Sequence, residues 1–334
     1  MVVSVREVAE DAGVSVGTVS NVLNRPERVS AETVSRVQAS IARLGYVRND
    51  AARQLRAGRS RTIGLVVLDI RNPFFAEVVR GAEQRADEHG LSVLVANSDE
   101  DARREGLLLD LFEEQRVAGV LITPVADALP RLQQMRERGT LSVLVDREAS
   151  DPAFSSVAVD DVEGGRIAAA HLLEAGRRRP AFVGGPVSLR QVSDRLSGAQ
   201  AVAAEAGVGL EFMATGALSV EEGRRAGRLL MERPAAQRPD AIFAANDLLA
   251  LGILQSLVMV GDVRVPQDIA LIGYDDIDFA EAAVIPLSSI RQPAGLIGST
   301  AVDLLLGVAD GGSAAAERVL YRPELVARAS TLGG

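Results

Sequence analysis

Apolar residues recur in this chain first at helical spacing and then in short runs separated by helical segments. Val5, Val8, Ala9 and Ala12 fall at i, i+3, i+4 and i+7, which puts one apolar stripe on a first short helix. Gly13 breaks the stripe, and Ser15 stands where an N-cap would open a second helix with Val19, Val22 and Leu23 on its inner face. Ser30 caps a third helix, with Val34, Val37, Ile41 and Leu44 on one side and Gly45 as its stop. The free face of the second helix carries Val16, Gly17, Thr18, Ser20 and Asn21, small or hydrogen-bonding side chains able to enter a major groove. An ordinary packed helical hairpin would show the same apolar spacing.

Asn49 to Arg61, NDAARQLRAGRSR, is polar and Arg-rich, with Leu55 its one large apolar side chain. It reads either as a plain linker or as a short helix formed on DNA, with Arg53, Arg56 and Arg59 on phosphates and Leu55 as a minor-groove wedge. From Thr62 onward the period changes. TIGLVVLDI, LSVLVANS, AGVLITPV and LSVLVD describe a parallel sheet with crossover helices. RPAFVGG, EFMATG, AIFAAN and IALIGYD repeat that unit between helical stretches at 162–175, 191–207, 219–232 and 247–260. The fold class is therefore a small all-α helix-turn-helix head followed by an α/β core of two doubly wound parallel-sheet lobes around a ligand cleft. The expected boundaries are 1–47 for the head, 48–61 for the linker and 62–334 for the core. A helix at 293–308 is expected to return to the first lobe, giving a first lobe of about 62–159 with 293–320 and a second of about 160–290 with 321–334.

Charge sharpens the division. Residues 1–60 hold nine Arg against six acids, whereas the remainder holds 27 Arg against 39 acids. A basic head on an acidic body suits phosphate contact by the head alone. All 36 basic residues are Arg, in the body as in the head, so the missing Lys reflects base composition rather than a binding patch. The absence of Cys excludes disulfides, thiolate metal sites and a cysteine nucleophile. No signal-peptide pattern opens the chain and no run of 18 apolar residues occurs, so a cytoplasmic protein without membrane contact is expected. His89 and His171 each fall near a predicted helix end and read as helix-terminal cations rather than catalytic or metal-binding groups.

The polar residues of the core collect at strand ends. Asp69 and Asn72 follow the first strand, with Phe74 and Phe75 directly after; Asp146 and Arg147 end the fourth, and Asp160 lies at the crossing between lobes. In the second lobe Arg195 follows a strand and glycine turn, Asn246 ends AIFAAN, Asp275 ends IALIGYD, and Gln292 sits at the return crossing. Aromatic rings beside Asn, Asp, Arg and Gln are the chemistry of a sugar pocket, where rings cover a pyranose or furanose face and planar groups grip its hydroxyls. Taken singly, each Asp or Asn also fits a turn or a helix cap. Their recurrence at equivalent strand ends of both lobes favours a site.

These residues resemble the LacI/GalR family of bacterial transcription regulators over nearly the whole chain. The motifs are VAEDAGVSVGTVSNVLN, ARLGY, AARQLRAGRSRTIGLVV, DIRNPFF, VAGVLI, FAANDLLALG, VPQDIALIGYDD and SIRQP. The resemblance implies a helix-turn-helix head, a DNA-ordered hinge helix and a core like that of periplasmic sugar-binding proteins, usually dimeric. It places Val16, Gly17 and Asn21 at base-reading positions and Leu55 at the intercalating leucine. The DNA-contacting candidates are Ser15, Val16, Gly17, Thr18, Ser20, Asn21, Asn24, Arg28, Arg53, Leu55 and Arg56. The effector candidates are Asp69, Asn72, Phe74, Phe75, Asp146, Arg147, Asp160, Arg195, Asn246, Asp275 and Gln292, a set that also resembles that of ribose-binding proteins. The chain departs from the family pattern at Asn21, where relatives often carry Arg, at Arg48, usually Pro, and at Arg177, usually His.

The expected function is a DNA-binding repressor that reads a pseudo-palindromic operator as a homodimer, a tetramer not being ruled out by sequence. Its affinity is set by a small ligand, with an inducing sugar, a pentose such as ribose, favoured over a purine- or nucleoside-type corepressor. A transport-type sugar-binding protein would lack the basic head. An α/β enzyme would show a G-x-G-x-x-G or Walker loop after its first strand, where this chain has DIRNPFF. No cofactor, metal or catalytic residue is expected.

Overall fold

The computed structural model describes residues 3–46, 60–125, 128–259, 263–309 and 316–332. It separates into two compact units, Met1–Arg59 and Ser60–Gly334. The predicted hinge-helix residues Arg53, Leu55 and Arg56 lie outside the described residues.

The head is three helices, α1 (Val5–Asp11), α2 (Val16–Asn24) and α3 (Ala31–Leu44), with one 3-10 turn at Pro26–Arg28. Each helix opens on a serine cap. Ser4 accepts from the Glu7 N–H while the Glu7 side chain takes the Ser4 N–H, and Ser15 and Ser30 accept from Thr18 and Thr33. Such caps satisfy backbone donors that the helix itself leaves unpaired, each stabilising by about 1 kcal/mol. Gly13 and Gly45 take positive φ of 65°, so that α1 and α3 stop where the glycines fall. Val8, Ala9, Ala12, Val19, Val22 and Val37 make the core that holds the three helices together. An ion pair between Arg43 and Asp11 links α3 to α1.

The second unit contains two six-stranded sheets. The first comprises β1 (Thr62–Val67), β2 (Ser92–Asn97), β3 (Gly119–Ile122), β4 (Leu141–Val145), β5 (Ser155–Val159) and β11 (Arg318–Tyr321), in the order β11-β5-β4-β3-β1-β2. The second comprises β6 (Pro180–Gly184), β7 (Glu211–Ala214), β8 (Ala241–Ala244), β9 (Ala270–Asp275), β10 (Ser288–Arg291) and β12 (Glu324–Val326), in the order β12-β10-β9-β8-β6-β7. Both sheets therefore reverse direction after their first strand, between β1 and β3 and between β6 and β8. That reversal opens a crevice at the strands' carboxyl ends. Among the described residues the strand pairs are parallel except β10 with β12.

Helices α4 (Pro73–Glu88), α5 (Ala102–Glu114) and α6 (Leu129–Glu137) follow strands of the first lobe. In the second lobe come α7 (Asp161–Glu174), α8 (Arg190–Glu205), α9 (Val220–Met231), α10 (Asp247–Met259), α11 (Asp278–Glu281) and α13 (Ala329–Leu332). Helix α12 (Ala294–Ala309) returns to the first lobe and packs on α4. The chain thus passes between lobes at Asp160, at Gln292 and Pro293, and again between β11 and β12.

Four strands escape the sequence pattern, each for a local reason. β5 and β10 contain buried serines, Ser155, Ser156, Ser288 and Ser289, which interrupt the apolar run. β11 and β12 are short outer strands whose residues are exposed or half-buried.

One histidine reading needs correction. His89 is the C-cap of α4, but His171 is half-buried and its Nε2 lies 2.7 Å from the Thr331 hydroxyl. Burial lowers the His171 pKa and favours neutral imidazole, so it tethers α7 to α13 as a hydrogen-bonding group rather than serving as a helix-end cation. No helix among the described residues is long and apolar enough to cross a membrane.

The approach of α12 to α4 depends on glycine. A Cβ on Gly298 would sit 2.0 Å from the Val78 carbonyl oxygen, and one on Gly81 2.0 Å from that of Gly295. Gly298→Ala is expected to destabilise the core by about 1–3 kcal/mol, because backbone cannot move aside as a side chain can. Urea denaturation checks it; an unchanged midpoint would remove the close-packing explanation.

Candidate functional site

In the head, Val16, Gly17, Asn21, Asn24 and Arg28 are exposed, whereas Thr18 and Ser20 are half-buried. Val16, Gly17 and Asn21 belong to the α2 face turned from the Val19 and Val22 core. A Cβ on Gly17 would meet only the Ser15 hydroxyl, at 3.6 Å, so packing does not demand glycine there. The other polar candidates have local partners. Ser15 and Thr18 hydroxyls lie 2.9 Å apart at the cap, and Asn24 donates through Nδ2 to the Ser20 carbonyl at 2.8 Å.

In the core, Asp69, Asn72, Phe74, Phe75, Asp146, Arg195, Asn246 and Asp275 line one cleft between the lobes, which encloses about 440 Å³ counting its open mouth. Phe74 and Phe75 pack edge to face, their centroids 5.0 Å apart. Gln292 is buried behind the cleft and donates through Nε2 to Asp275 Oδ1 at 2.8 Å. Arg147 and Asp160 line a second cavity that shares Asp146 and Gln191 with the cleft. Asp160 also caps α7, accepting from the Glu163 N–H at 2.9 Å. Asn72 and Asn246 likewise combine capping with cleft positions, accepting from Phe74 N–H at 3.1 Å and Leu249 N–H at 2.9 Å. Asp69 pairs with Arg71 at 2.8 Å.

The two lobes clasp each other reciprocally. Asn72, the cap of the first helix of lobe one, donates to Asp275 Oδ2 at the end of the fourth strand of lobe two, at 2.9 Å. Gln191, in the first turn of α8, the helix that follows the first strand of lobe two, donates to Asp146 at the end of the fourth strand of lobe one: to Oδ2 at 2.9 Å and to the carbonyl at 3.0 Å. Asp146 and Asp275 both adopt positive φ, 54° and 105°. Such backbone is costly for a residue with a Cβ, and it is typical of functional strand ends.

Charge around the cleft is unbalanced. Asp146, Asp161 and Asp275 are all buried about one buried guanidinium, that of Arg195. Burial pushes the Asp146 carboxyl up to about 8, the Asp161 charge pushing further and Arg195 and Gln191 opposing. Burial also raises Asp275, against the pull of Arg195, Asn72 and Gln292. Two buried polar atoms here lack partners within the protein, Asp146 Oδ1 and Gln292 Oε1. Hydroxyl groups would satisfy both, and an anion would add to the negative excess.

Sequence reasoning missed Gln191, Asp161, Tyr274, Leu189, Leu218 and Glu100 in and around the cleft. The signal for Gln191 was the repeat of the lobes, since it opens the helix equivalent to the one Asn72 caps. For Asp161 it was the acidic doublet before a glycine pair in DDVEGG.

Known proteins share this fold. Residues 4–49 match the model of the bacterial regulatory proteins, lacI family, and residues 169–331 that of a periplasmic binding protein-like domain. The ribose operon repressor of Escherichia coli (strain K12) is 33% identical over 330 residues, 98% of this chain and 99% of the relative. A crystal structure of the lac repressor dimer bound to operator and the anti-inducer ONPF superimposes with a TM-score of 0.85 at 28% identity, covering 100% of both chains. A LacI family transcriptional regulator from Enterococcus faecium with bound ribose gives a TM-score of 0.73 at 27% identity, over 81% of this chain and 98% of that one. The chain belongs to the lacI family of bacterial regulatory proteins. It is a DNA-binding transcriptional repressor with a ligand-binding sensor core, and not an enzyme.

The raised Asp146 carboxyl has a pH consequence. Its folded pKa, about 8, lies above the unfolded value near 3.9, so its contribution to stability is full below about pH 4 and is lost as pH rises through about 8. Asp146→Asn removes the ionisation. Relative to the wild type it is expected to gain thermal stability between pH 5.5 and 8.5, on the order of 3 °C or more, since about 1 kcal/mol moves the midpoint by a few degrees in a chain this size. Parallel shifts at both pH values would show that Asp146 titrates normally.

Proposed function

We propose that this repressor is released from its operator by a neutral pentose, with D-ribose the favoured effector, bound between the two lobes. The observation that carries the reading is the cleft's chemistry: two adjacent rings, one buried guanidinium, and buried carboxyl and amide atoms without partners, surrounded by excess negative charge. Rings cover a furanose face while hydroxyls both donate and accept, so a neutral polyol fills the site without an unpaired charge. The names of the ribose operon repressor and the ribose-bound regulator support the same choice.

In this reading Asp69, Asn72, Phe74, Phe75, Asp146, Arg195, Asn246, Asp275 and Gln292 hold the sugar, and Arg147 and Asp160 border its entry. Ligand binding exchanges the Asn72–Asp275 and Gln191–Asp146 clasps for sugar-mediated contacts, shifting the lobes between two arrangements with different operator affinity. The protein acts as a cytoplasmic homodimer, placing two α2 helices in successive major grooves of a pseudo-palindrome. Val16, Gly17 and Asn21 read bases, Ser15, Thr18, Ser20, Asn24 and Arg28 support or flank that contact, and residues 48–61 follow the DNA with Arg53 and Arg56 on phosphates and Leu55 as the wedge. The Asn21 amide suits adenine, whose N6 and N7 it matches in pairs.

Gel shifts with DNA from upstream of its own gene test both halves. D-ribose is expected to release the complex, and Arg195→Ala to abolish release along with the calorimetric heat of ribose binding; a nucleobase that tightened the complex would overturn the pentose reading. Leu55→Ala is expected to weaken specific binding while the core still binds ribose. Asn21→Arg is expected to move base preference from adenine toward guanine at one position, read by selection from a random operator pool. An unaltered preference would place base reading elsewhere.

A further inference from the structure

Arg195 is the guanidinium on which the cleft depends, and it is held by groups that do not face the cleft. Its Nε donates to Asp161 Oδ1 at 2.7 Å, with only 4% and 9% of the two side chains exposed. Its Nη1 donates to the Ala245 carbonyl at 2.8 Å. Its guanidinium carbon lies 3.6 Å from the centre of the Tyr274 ring, a contact that favours the cation over a π face. The cleft carboxylate Asp275 stands further off, at 3.9 Å.

The surroundings are shaped to this arrangement. Asp161 is the first residue of α7, directly after the chain has crossed between lobes at Asp160. A Cβ on Gly164 would lie 2.1 Å from the Tyr274 hydroxyl oxygen, and one on Gly165 2.1 Å from the Arg195 carbonyl oxygen. The glycine pair therefore lets α7 approach both partners at once. The Tyr274 hydroxyl is buried beside the Asp161 carboxyl, so ring and carboxyl brace one another around the guanidinium. An unpaired arginine in this space would bear an uncompensated buried charge, and a long side chain free to rotate would lose entropy on gripping a ligand.

We propose that Asp161 and Tyr274 are positioning residues that preset Arg195 for the effector and tie its pose to the chain crossing at Asp160. They act through Arg195 and make no contact with the ligand. The ion pair fixes Nε, the Ala245 carbonyl takes one Nη1 hydrogen, the ring fixes the plane, and the remaining Nη hydrogens are left for hydroxyls. Because Asp161 opens the element that leaves the crossing, a change in lobe angle moves the carboxylate and with it the guanidinium. The part that concerns the effector rests on the pentose reading above; the preset of Arg195 does not.

The test uses the full-length protein with 15N-labelled arginine. The Arg195 Nε–H signal, identified by its loss in Arg195→Lys, is expected to exchange slowly with water in the ligand-free wild type. Exchange should accelerate by about tenfold or more in Asp161→Ala and Tyr274→Leu, and by less in Asp161→Asn, which keeps an acceptor oxygen without the charge. Calorimetry with D-ribose should follow the same order, with a loss of about tenfold or more for Asp161→Ala and partial rescue by Asp161→Asn. Combining Asp161→Asn with Arg195→Lys should cost less than the sum of the single changes, since both remove one interaction. If Asp161→Ala does not fold, the Asp161→Asn exchange rate and the double-variant cycle decide alone. Exchange unaltered by the Asp161 variants, or strictly additive losses, would overturn the positioning role. Accelerated exchange in a protein that binds no ribose would uphold the preset of Arg195 and reject the pentose.

Discussion

One buried guanidinium constrains the whole core. Arg195 stands among the carboxyl groups of Asp146, Asp161 and Asp275, and each is tolerable in the interior only because of it or of a proton. The consequences spread outward through the backbone. Asp146 and Asp275 are delivered at positive φ from matching strands, α7 approaches on a glycine pair, and Tyr274 turns its ring flat under the cation. A pocket of this kind discriminates by charge first and by shape second. In the proposed reading it takes a neutral group rich in hydroxyls in preference to an anion of the same size.

The second organising feature is the repeat of the lobes. Because each lobe has the same strand order, equivalent positions meet across the cleft: a helix-opening amide from one lobe reaches a fourth-strand carboxylate of the other, twice over. One clasp is a single hydrogen bond and the other a pair, and their replacement by a ligand need not change energy by much. That near balance is what a two-state sensor requires, since a ligand shifts the lobes only by its preference for one arrangement. The three chain crossings between the lobes would confine a change of lobe angle to a few backbone positions.

Much of this was legible before any coordinates. Serine caps, glycine stops and a 3.6-residue stripe specified the head, because those signals are local and each helix needs its own termini satisfied. Eight of the core strands announced themselves as apolar runs, which is how buried parallel strands must read. The strands that hid were those carrying buried serines, paired by tertiary hydrogen bonds such as Ser288 with Thr331, and the outer pair β11 and β12. His171 was misread for a related reason: its neighbours in sequence suggested a helix end, whereas burial lowers its pKa and Thr331, 160 residues away, is its hydrogen-bond partner.

By itself, then, the sequence determined the architecture, the family and most of the polar residues that line the cleft, since periodicity, caps and strand-end placement are properties of short segments. It also placed Gly17 and Asn21, which depart from the residues usual in the family, on the second helix of the head. Only the tertiary structure decided which groups act together. That Gln191 holds Asp146, that Asp161 and Tyr274 hold Arg195, and that Arg147 and Asp160 face an outer cavity follow from how two sheets close on one another. Electrostatic partnership depends on distance and burial, and neither is a property of sequence neighbours.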